Sequence, residues 1–580
     1  MLTSEGDWGV GSTRCTDMVA RAASLGQTRV MLVPTLYFVD REPRNHSAPG
    51  QQGKVSYYCY SKLDGGCPPA DAAGRAKFGA GMKKCAAAAV DAGLSLALAP
   101  HIDDGVPGGA QWRQGLVFDP LVKHGGGAFG GDAMSYDEFI LQPLATAVAA
   151  ASTAKTKVWF STQGEMGATL VYHPASHTKL LAALRERVIA GRTAAAFPPT
   201  NVQVGVLSNA DKLCSCVAQT GNGTYTDDFV RAWPTIKPQF NLPAIKALFD
   251  ATDFVGISNY PSLKSPDVRP VDFEAGIKSF ATELAQFGVD LRDLVTTKGK
   301  TLWFSEVGIG GGGDAGGWSR TADPAYAAAN TYHGVTSTYR PETDPWHAGG
   351  AGGDGMLALQ RKFYSSLASF VSSRGACANC TWAVDGAFLW NCGSWDVQAI
   401  HPASFDANGT VDFLTGAGSY ADAPTVSLIA DHNAGADTGV PVSAAAIAKA
   451  AAEPAGWAAA PAGAPAAAPR ARRAGPAGGG AASSMSGGDA DADDDAGPAA
   501  PEPTPVPTPD AVPSPLGAPN PTFRPTLLGA LAGALRLPPP VAALQSVAGS
   551  LFGFEDSAGD ARAEAEAVAV GGAPAPRGGA

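Results

Sequence analysis

The 580-residue chain has no uninterrupted apolar run of the length a membrane span requires, roughly 20 residues. Its two most apolar C-terminal stretches, 526–537 and 541–554, are broken by Arg536 and Pro538-Pro539-Pro540. Positive charge is also scarce: 42 Lys and Arg stand against 53 Asp and Glu, a formal charge of −11, with no basic stripe. Phosphate binding draws on clustered cations, so nucleic acid is excluded as a partner class. Neither G-x-G-x-x-G nor G-x-x-x-x-G-K-S/T follows any strand-like segment, which removes the signatures of nucleotide-binding sheets. No signal peptide opens the chain: Met1-Leu-Thr-Ser-Glu-Gly-Asp-Trp8 lacks an apolar core.

Cysteine is sparse, nine residues in all, with Cys59/Cys67, Cys214/Cys216 and Cys377/Cys380 as close pairs that could be disulfides or thiols. The C-x-x-C at Cys377–Cys380 has no second knuckle or histidine partner, so no metal or other cofactor is indicated. N-x-S/T sequons at Asn45, Asn222, Asn379 and Asn408 lean towards a secreted or cell-wall glycoprotein with its true start upstream; the cytoplasm is the alternative.

Composition divides the chain in two. Residues 1–433 have core-forming content, whereas 434–580 are dominated by Ala, Pro, Gly and Ser, with an acidic cluster at Asp489, Asp491, Asp493, Asp494 and Asp495. A segment this poor in aromatic and branched residues cannot offset its ordering entropy, and it is predicted to be a mostly disordered linker or stalk.

Within the first part, apolar strand-like runs alternate with amphipathic helical ones. Strands are predicted at 29–35, 94–100, 157–162, 202–207, 253–258, 301–305 and 386–390. Helices are predicted at 13–25, 70–92, 136–152, 177–192, 242–250, 273–287, 356–373 and 425–433. Continuous apolar strands separated by helices imply a helix-covered parallel sheet. Seven strands and eight helices fit a (β/α)8 TIM barrel whose first strand is clipped, with Leu2-Thr3-Ser4 as its last residues; a doubly wound open sheet is the alternative. The long segments 101–135 and 308–355 suit the elaborated loops at the C-terminal mouth of a barrel.

Two settings of the form W-F-S-x₀₋₃-E-x-G stand out: Trp159-Phe-Ser-Thr-Gln-Gly-Glu165-Met-Gly167 and Trp303-Phe-Ser-Glu306-Val-Gly308. Each places a carboxylate at the exit of a core strand. One such Glu would be a rim salt bridge; two in near-duplicate settings suggest a working pair. With the clipped strand counted first, Glu165 follows the fourth strand and Glu306 the seventh, on opposite sides of an eight-stranded ring.

A barrel with glutamates ending strands four and seven resembles the clan A glycoside hydrolases, over residues 1–433 by architecture and through short motifs. The resemblance implies retaining cleavage of a β-linked polysaccharide or oligosaccharide, with Glu165 as acid/base and Glu306 as nucleophile. It also implies that Tyr260, after the sixth strand in Gly256-Ile-Ser-Asn-Tyr260-Pro, hydrogen-bonds the nucleophile, and that Trp390, after the eighth, is a platform beneath a sugar. Rim and core packing are the competing accounts of these two aromatics.

Further candidates for sugar binding are His101 and Asp103 after the third strand, Gln163, Asn209, Asn259 and Tyr37, with Asp211 a lesser one. Trp8, Trp112, Tyr172, Trp233, Trp318, Trp346 and Trp395 could stack on sugars or anchor loops. Two departures from the family stand out. Gly164 occupies the position usually held by an asparagine that contacts the sugar 2-hydroxyl, and no arginine ends the second strand, where Pro34-Thr-Leu-Tyr37 stands. Two further readings stay open: a catalytically silent glycan-binding barrel of the cell wall or matrix, and a metal-dependent barrel hydrolase using His101, Asp103 and Glu165. The glycine run from Gly308 reads as a flexible loop beside the nucleophile. Sugar, linkage and oligomeric state are not encoded in any recognisable motif.

Overall fold

A computed structural model of the chain describes residues 2–3, 8–9, 11–41, 53–62, 66–106, 111–191, 198–217, 224–309, 323–331, 353–390 and 422–438. The predicted tail from residue 439 on, the glycine run from residue 310 on, Asn391 to Gly393, Trp318, Trp346, Trp395 and the sequons at Asn45, Asn222 and Asn408 lie outside them.

Eight strands form one parallel path in sequence order. They are β1 (Leu2–Thr3), β2 (Arg29–Val39), β3 (Ser95–Leu98), β4 (Val158–Gly164), β5 (Val202–Asn209), β6 (Phe254–Asn259), β7 (Thr301–Val307) and β8 (Gly386–Leu389). Eight helices follow them in turn: α1 (Arg14–Ser24), α2 (Ala72–Asp91), α3 (Gln142–Ala151), α4 (Pro174–Ala190), α5 (Leu242–Ala251), α6 (Glu274–Gln286), α7 (Gly353–Ser373) and α8 (Ala423–Thr438). This is the α/β architecture of a TIM barrel. The predicted first strand is present, with Leu2 and Thr3 in register beside Val33 and Pro34 of β2.

Local sequence explains where helices begin. Asp71 accepts the Gly74 N–H at 2.7 Å to cap α2, and Asn241 accepts the Ala244 N–H at 3.1 Å to cap α5. The segment predicted as one helix from 136 to 152 starts instead with a wider π turn, Asp137–Leu141, before α3. Pro143, near the start of α3, has no N–H to give the ladder. Predicted strand ends were too early: β2, β4, β5, β6 and β7 each run past the predicted C-terminal residue, to Val39, Gly164, Asn209, Asn259 and Val307.

Side chains sort by strand parity into an inner and an outer core. Met31, Val33, Ala97, Ala99, Trp159, Leu207, Phe254 and Trp303 fill the barrel, with Phe388 and Trp390 packed on them. The intervening residues, such as Phe160 and Phe304, face the helices. The Trp residues of the two duplicated motifs meet inside the ring: Trp159 and Trp303 lie edge to face, with centroids 4.8 Å apart. Arg29 places its guanidinium over both, 5.1 and 5.4 Å from the ring centroids. Arg29 belongs to β2, and its Nη1 lies 3.7 Å from where a Cβ on Gly386 of β8 would be, so its side chain reaches across the inner core.

Four disulfides are formed. The three close pairs noted in the sequence are bonded, and a fourth bridge, Cys15–Cys85, ties α1 to α2. Cys377 and Cys380 bond each other, which removes them as metal ligands.

Trp303→Ala should destabilise the protein by about 3–5 kcal/mol, because a fully buried indole that touches three other aromatic rings leaves a cavity. Urea unfolding would measure it, and a loss under 1 kcal/mol would show that the inner core does not depend on this residue.

Candidate active site

Both glutamate-bearing strands change register as they reach the mouth. Against β5, β4 slips between Ser161 and Gly164; against β6, β7 slips so that Ser258 faces Glu306. Such irregularities re-aim a side chain that regular alternation would send elsewhere. They direct Glu165 and Glu306 into one buried space, 2% and 5% exposed. Glu165 also takes a left-handed backbone, φ +56°, which a non-glycine residue adopts at a cost.

Each carboxylate has one oxygen engaged. Arg113 Nη2 lies 3.2 Å from Glu165 Oε2, while its Nη1 donates to Asp103 Oδ1 at 2.5 Å. The Tyr260 hydroxyl donates to Glu306 Oε2 at 3.1 Å. Glu165 Oε1 is buried without a hydrogen-bond partner. His101 completes the group: its Nε2 stands 3.7 Å from Glu306 Oε1, and neither ring nitrogen has a hydrogen-bond partner. One ligand-type atom from each of His101, Glu165 and Glu306 lies within 4.8 Å of those of the other two.

Gly164 makes room for that imidazole. A Cβ at this position would come 2.3 Å from His101 Cδ2 and 2.6 Å from its Nε2. The departure from asparagine is therefore a packing requirement set by His101.

Burial raises the proton affinity of both glutamates, and the negative charge of Glu165 raises that of Glu306 further. Arg113, followed by the Ser258 hydroxyl, opposes the rise at Glu165; Arg113 and then Tyr260 oppose it at Glu306. Both shifts favour the protonated forms, and the two carboxyls titrate as a pair. Burial, then the Arg113 charge, keeps the His101 imidazole well below its ordinary range, so it is neutral.

The other sequence candidates divide. Trp390 is half-buried, has the inward parity of Phe388 and packs on the inner core just beyond β8. Tyr37 aligns with Asp103 in register, with the Lys62 ammonium 5.3 Å from its ring. Three candidates are occupied elsewhere. Gln163 donates to Leu207 O and accepts from Met166 N, both at 2.6 Å, so its amide braces the turn around Glu165. Asn209 donates to Gln114 Oε1 at 3.1 Å. Asn259 is directed away from the mouth: it donates to Phe273 O at 3.0 Å, and its Oδ1 lies 2.0 Å from where a Cβ on Gly276 of α6 would be. Asp103 is tied to Arg113, so the His101, Asp103 and Glu165 metal set does not assemble; Glu306 takes the place of Asp103 in the converging group. Trp8, against Phe78, and Trp233, among Phe229, Phe240 and Phe287, anchor structure. The Tyr172 hydroxyl donates to Gln239, and Trp112 lies under the Lys212 ammonium.

Two site residues escaped the sequence reading. Arg113 and Gln114 sit in a short 3₁₀ turn of the long loop after β3. Gln114 accepts the Gly167 N–H at 3.3 Å and donates to Lys212 O, tying the loops after β3, β4 and β5 together. Beneath them Glu283, pushed up to about 7 by burial, accepts the Leu213 N–H and the Thr226 hydroxyl, each at 2.7 Å. The sequence offered one signal for this cluster: Trp112-Arg-Gln114 is a compact polar group within an otherwise glycine-rich loop.

The fold and site together describe a parallel eight-stranded barrel with a buried carboxylate pair at its mouth. No protein-family model and no curated protein matches the chain. Among solved structures it is similar to a GH113 β-mannanase from Alicyclobacillus acidocaldarius, at 16% identity over 75% of this chain and 96% of that one, TM-score 0.35. It is also similar to an endo-β-1,4-mannanase from Thermotoga petrophila, at 13% identity over 74% of each chain, TM-score 0.32. A glycoside hydrolase family 5 mannosidase from Rhizomucor miehei gives 12% identity over 75% and 92% of the two chains, TM-score 0.32. Likeness at this level assigns the chain to no family.

Glu165→Gly should be more stable than Glu165→Ala by about 1 kcal/mol, since glycine alone relieves the left-handed backbone. Thermal unfolding of the two variants would decide it; equal or reversed stabilities would remove the strain at this position.

Proposed function

We propose that the protein is a retaining glycoside hydrolase acting on a β-linked polysaccharide or oligosaccharide, with Glu306 as nucleophile and Glu165 as acid/base. The observation that supports this reading is the approach of the two carboxyls across the barrel, with ligand-type oxygens within 4.8 Å. Retention needs carboxyl groups about 5–5.5 Å apart, whereas inversion needs about 6.5–9.5 Å to admit a water.

In the first step a Glu306 oxygen attacks the anomeric carbon, the glycosidic C–O bond breaks, and the Glu165 proton passes to the leaving oxygen. In the second, Glu165 takes a proton from water as that water displaces Glu306 from the sugar. Tyr260 steadies one Glu306 oxygen and leaves the other to react. Arg113 holds Glu165 Oε2 and leaves Oε1, which has no partner, for the leaving group. The neutral His101, beside Glu306, is suited to bind a sugar hydroxyl next to the anomeric carbon, and Trp390 to lie beneath the ring.

Arg113 favours charge on Glu165 while burial, the larger effect, favours the protonated acid that the first step needs. Four disulfides support an oxidising compartment, hence a secreted or wall-associated location.

A panel of mannans, glucans, galactans and xylans tests the reading. Glu306→Gln should lose at least about 10³-fold in kcat with the fold intact. Glu165→Ala should regain turnover with azide, or on substrates whose leaving group needs no protonation. Undiminished hydrolysis by Glu306→Gln would overturn the nucleophile assignment. An intact protein with no turnover on any glycan, but measurable affinity for one, would favour the glycan-binding alternative.

A further inference from the structure

We infer that His101, Glu165 and Glu306 also form a binding site for a divalent cation of the zinc class, and that a cation there switches the enzyme off. The switching-off rests on the hydrolase reading above; the site itself rests on the geometry alone.

The three residues are all buried and come from the ends of β3, β4 and β7, elements held by the barrel. Their donor atoms face one another. Glu165 Oε2 is held by Arg113 and Glu306 Oε2 by Tyr260. Glu165 Oε1 and His101 Nε2 are both without a hydrogen-bond partner, and Glu306 Oε1 lies 3.7 Å from Nε2. A buried imidazole and carboxylate oxygen without partners are costly unless something fills the space between them.

One nitrogen and two carboxylate oxygens make the donor set of a three-ligand zinc site that keeps a fourth position for water. The imidazole favours zinc, copper or nickel over magnesium and calcium, which prefer oxygen alone. Donors around zinc, bound at about 2.0–2.2 Å, sit roughly 3.3 Å apart. The 4.8 Å span therefore closes by a small swing of the glutamate side chains. Arg113 beside Glu165 opposes a cation and limits affinity to the micromolar range.

Gly164 is the positioning residue of this site. A Cβ there would come 2.3 Å from the His101 ring, so a larger residue would push the imidazole from its place beside Glu306. A bound cation would occupy the very oxygens that attack and protonate, so it would compete with substrate.

The test uses the full chain, freed of metal with a chelator and titrated with zinc by calorimetry. One zinc per chain is expected, with Kd of about 10 μM. His101→Phe and Gly164→Ala should each weaken binding at least tenfold. Zinc-edge X-ray absorption on the unaltered protein should show a single imidazole among oxygen ligands, a readout that stands even if a variant fails to fold. Absence of zinc binding at 1 mM, a spectrum without imidazole, or undiminished affinity in a folded His101→Phe variant would overturn the site.

Hydrolysis separates the two proposals. Chelator-treated protein that turns over glycan and is reversibly inhibited by zinc supports both. Turnover with no zinc binding removes only the cation site. Activity absent after chelation and restored by zinc would overturn both the inhibitory role and the metal-free double displacement.

Discussion

The contact of Trp159 with Trp303 inside the barrel is the constraint on which the site depends. Strands four and seven stand on opposite sides of the ring, and their indoles meet across it under the guanidinium of Arg29. This fills the barrel where small residues such as Ala97 and Gly205 line the neighbouring strands. A few residues further along, the same two strands present Glu165 and Glu306. The strand number and stagger that set the barrel's width set the separation of the carboxylates, and the two indoles fill the space beneath them.

Above that floor the structure accepts local costs. Both strands slip in register as they approach the glutamates, and Glu165 adopts a left-handed backbone that side chains normally avoid. These irregularities are braced from outside the pair. Gln163 secures the turn from within β4, and Gln114 ties three loops together around it. Backbone strain held in place by surrounding hydrogen bonds is characteristic of sites where orientation matters more than local stability.

Electrostatically the pair is poised rather than settled. Burial raises the proton affinity of both members; Arg113, in contact with Glu165, lowers it at both, while Tyr260 donates to Glu306 alone. His101 adds a neutral, buried nitrogen. A site with two buried carboxyls and a neutral imidazole can serve either proton transfer or cation binding, and which of them prevails depends on what enters the mouth.

The sequence by itself determined the alternation of strands and helices, because continuous apolar runs and amphipathic periods depend on local pattern. It also marked the glutamate pair, since a repeated Trp-Phe-Ser setting followed by a carboxylate is visible without a fold. The sequence did not connect Arg113, in a loop 52 residues before Glu165, with the pair, nor show that Asn259 points to a helix while its neighbour Tyr260 points to Glu306. Strand register at the mouth decides both, and register shifts leave no local signature. The meaning of Gly164 was likewise a tertiary matter. As a letter it was only a missing asparagine; in space its absent Cβ is what admits His101 beside Glu306.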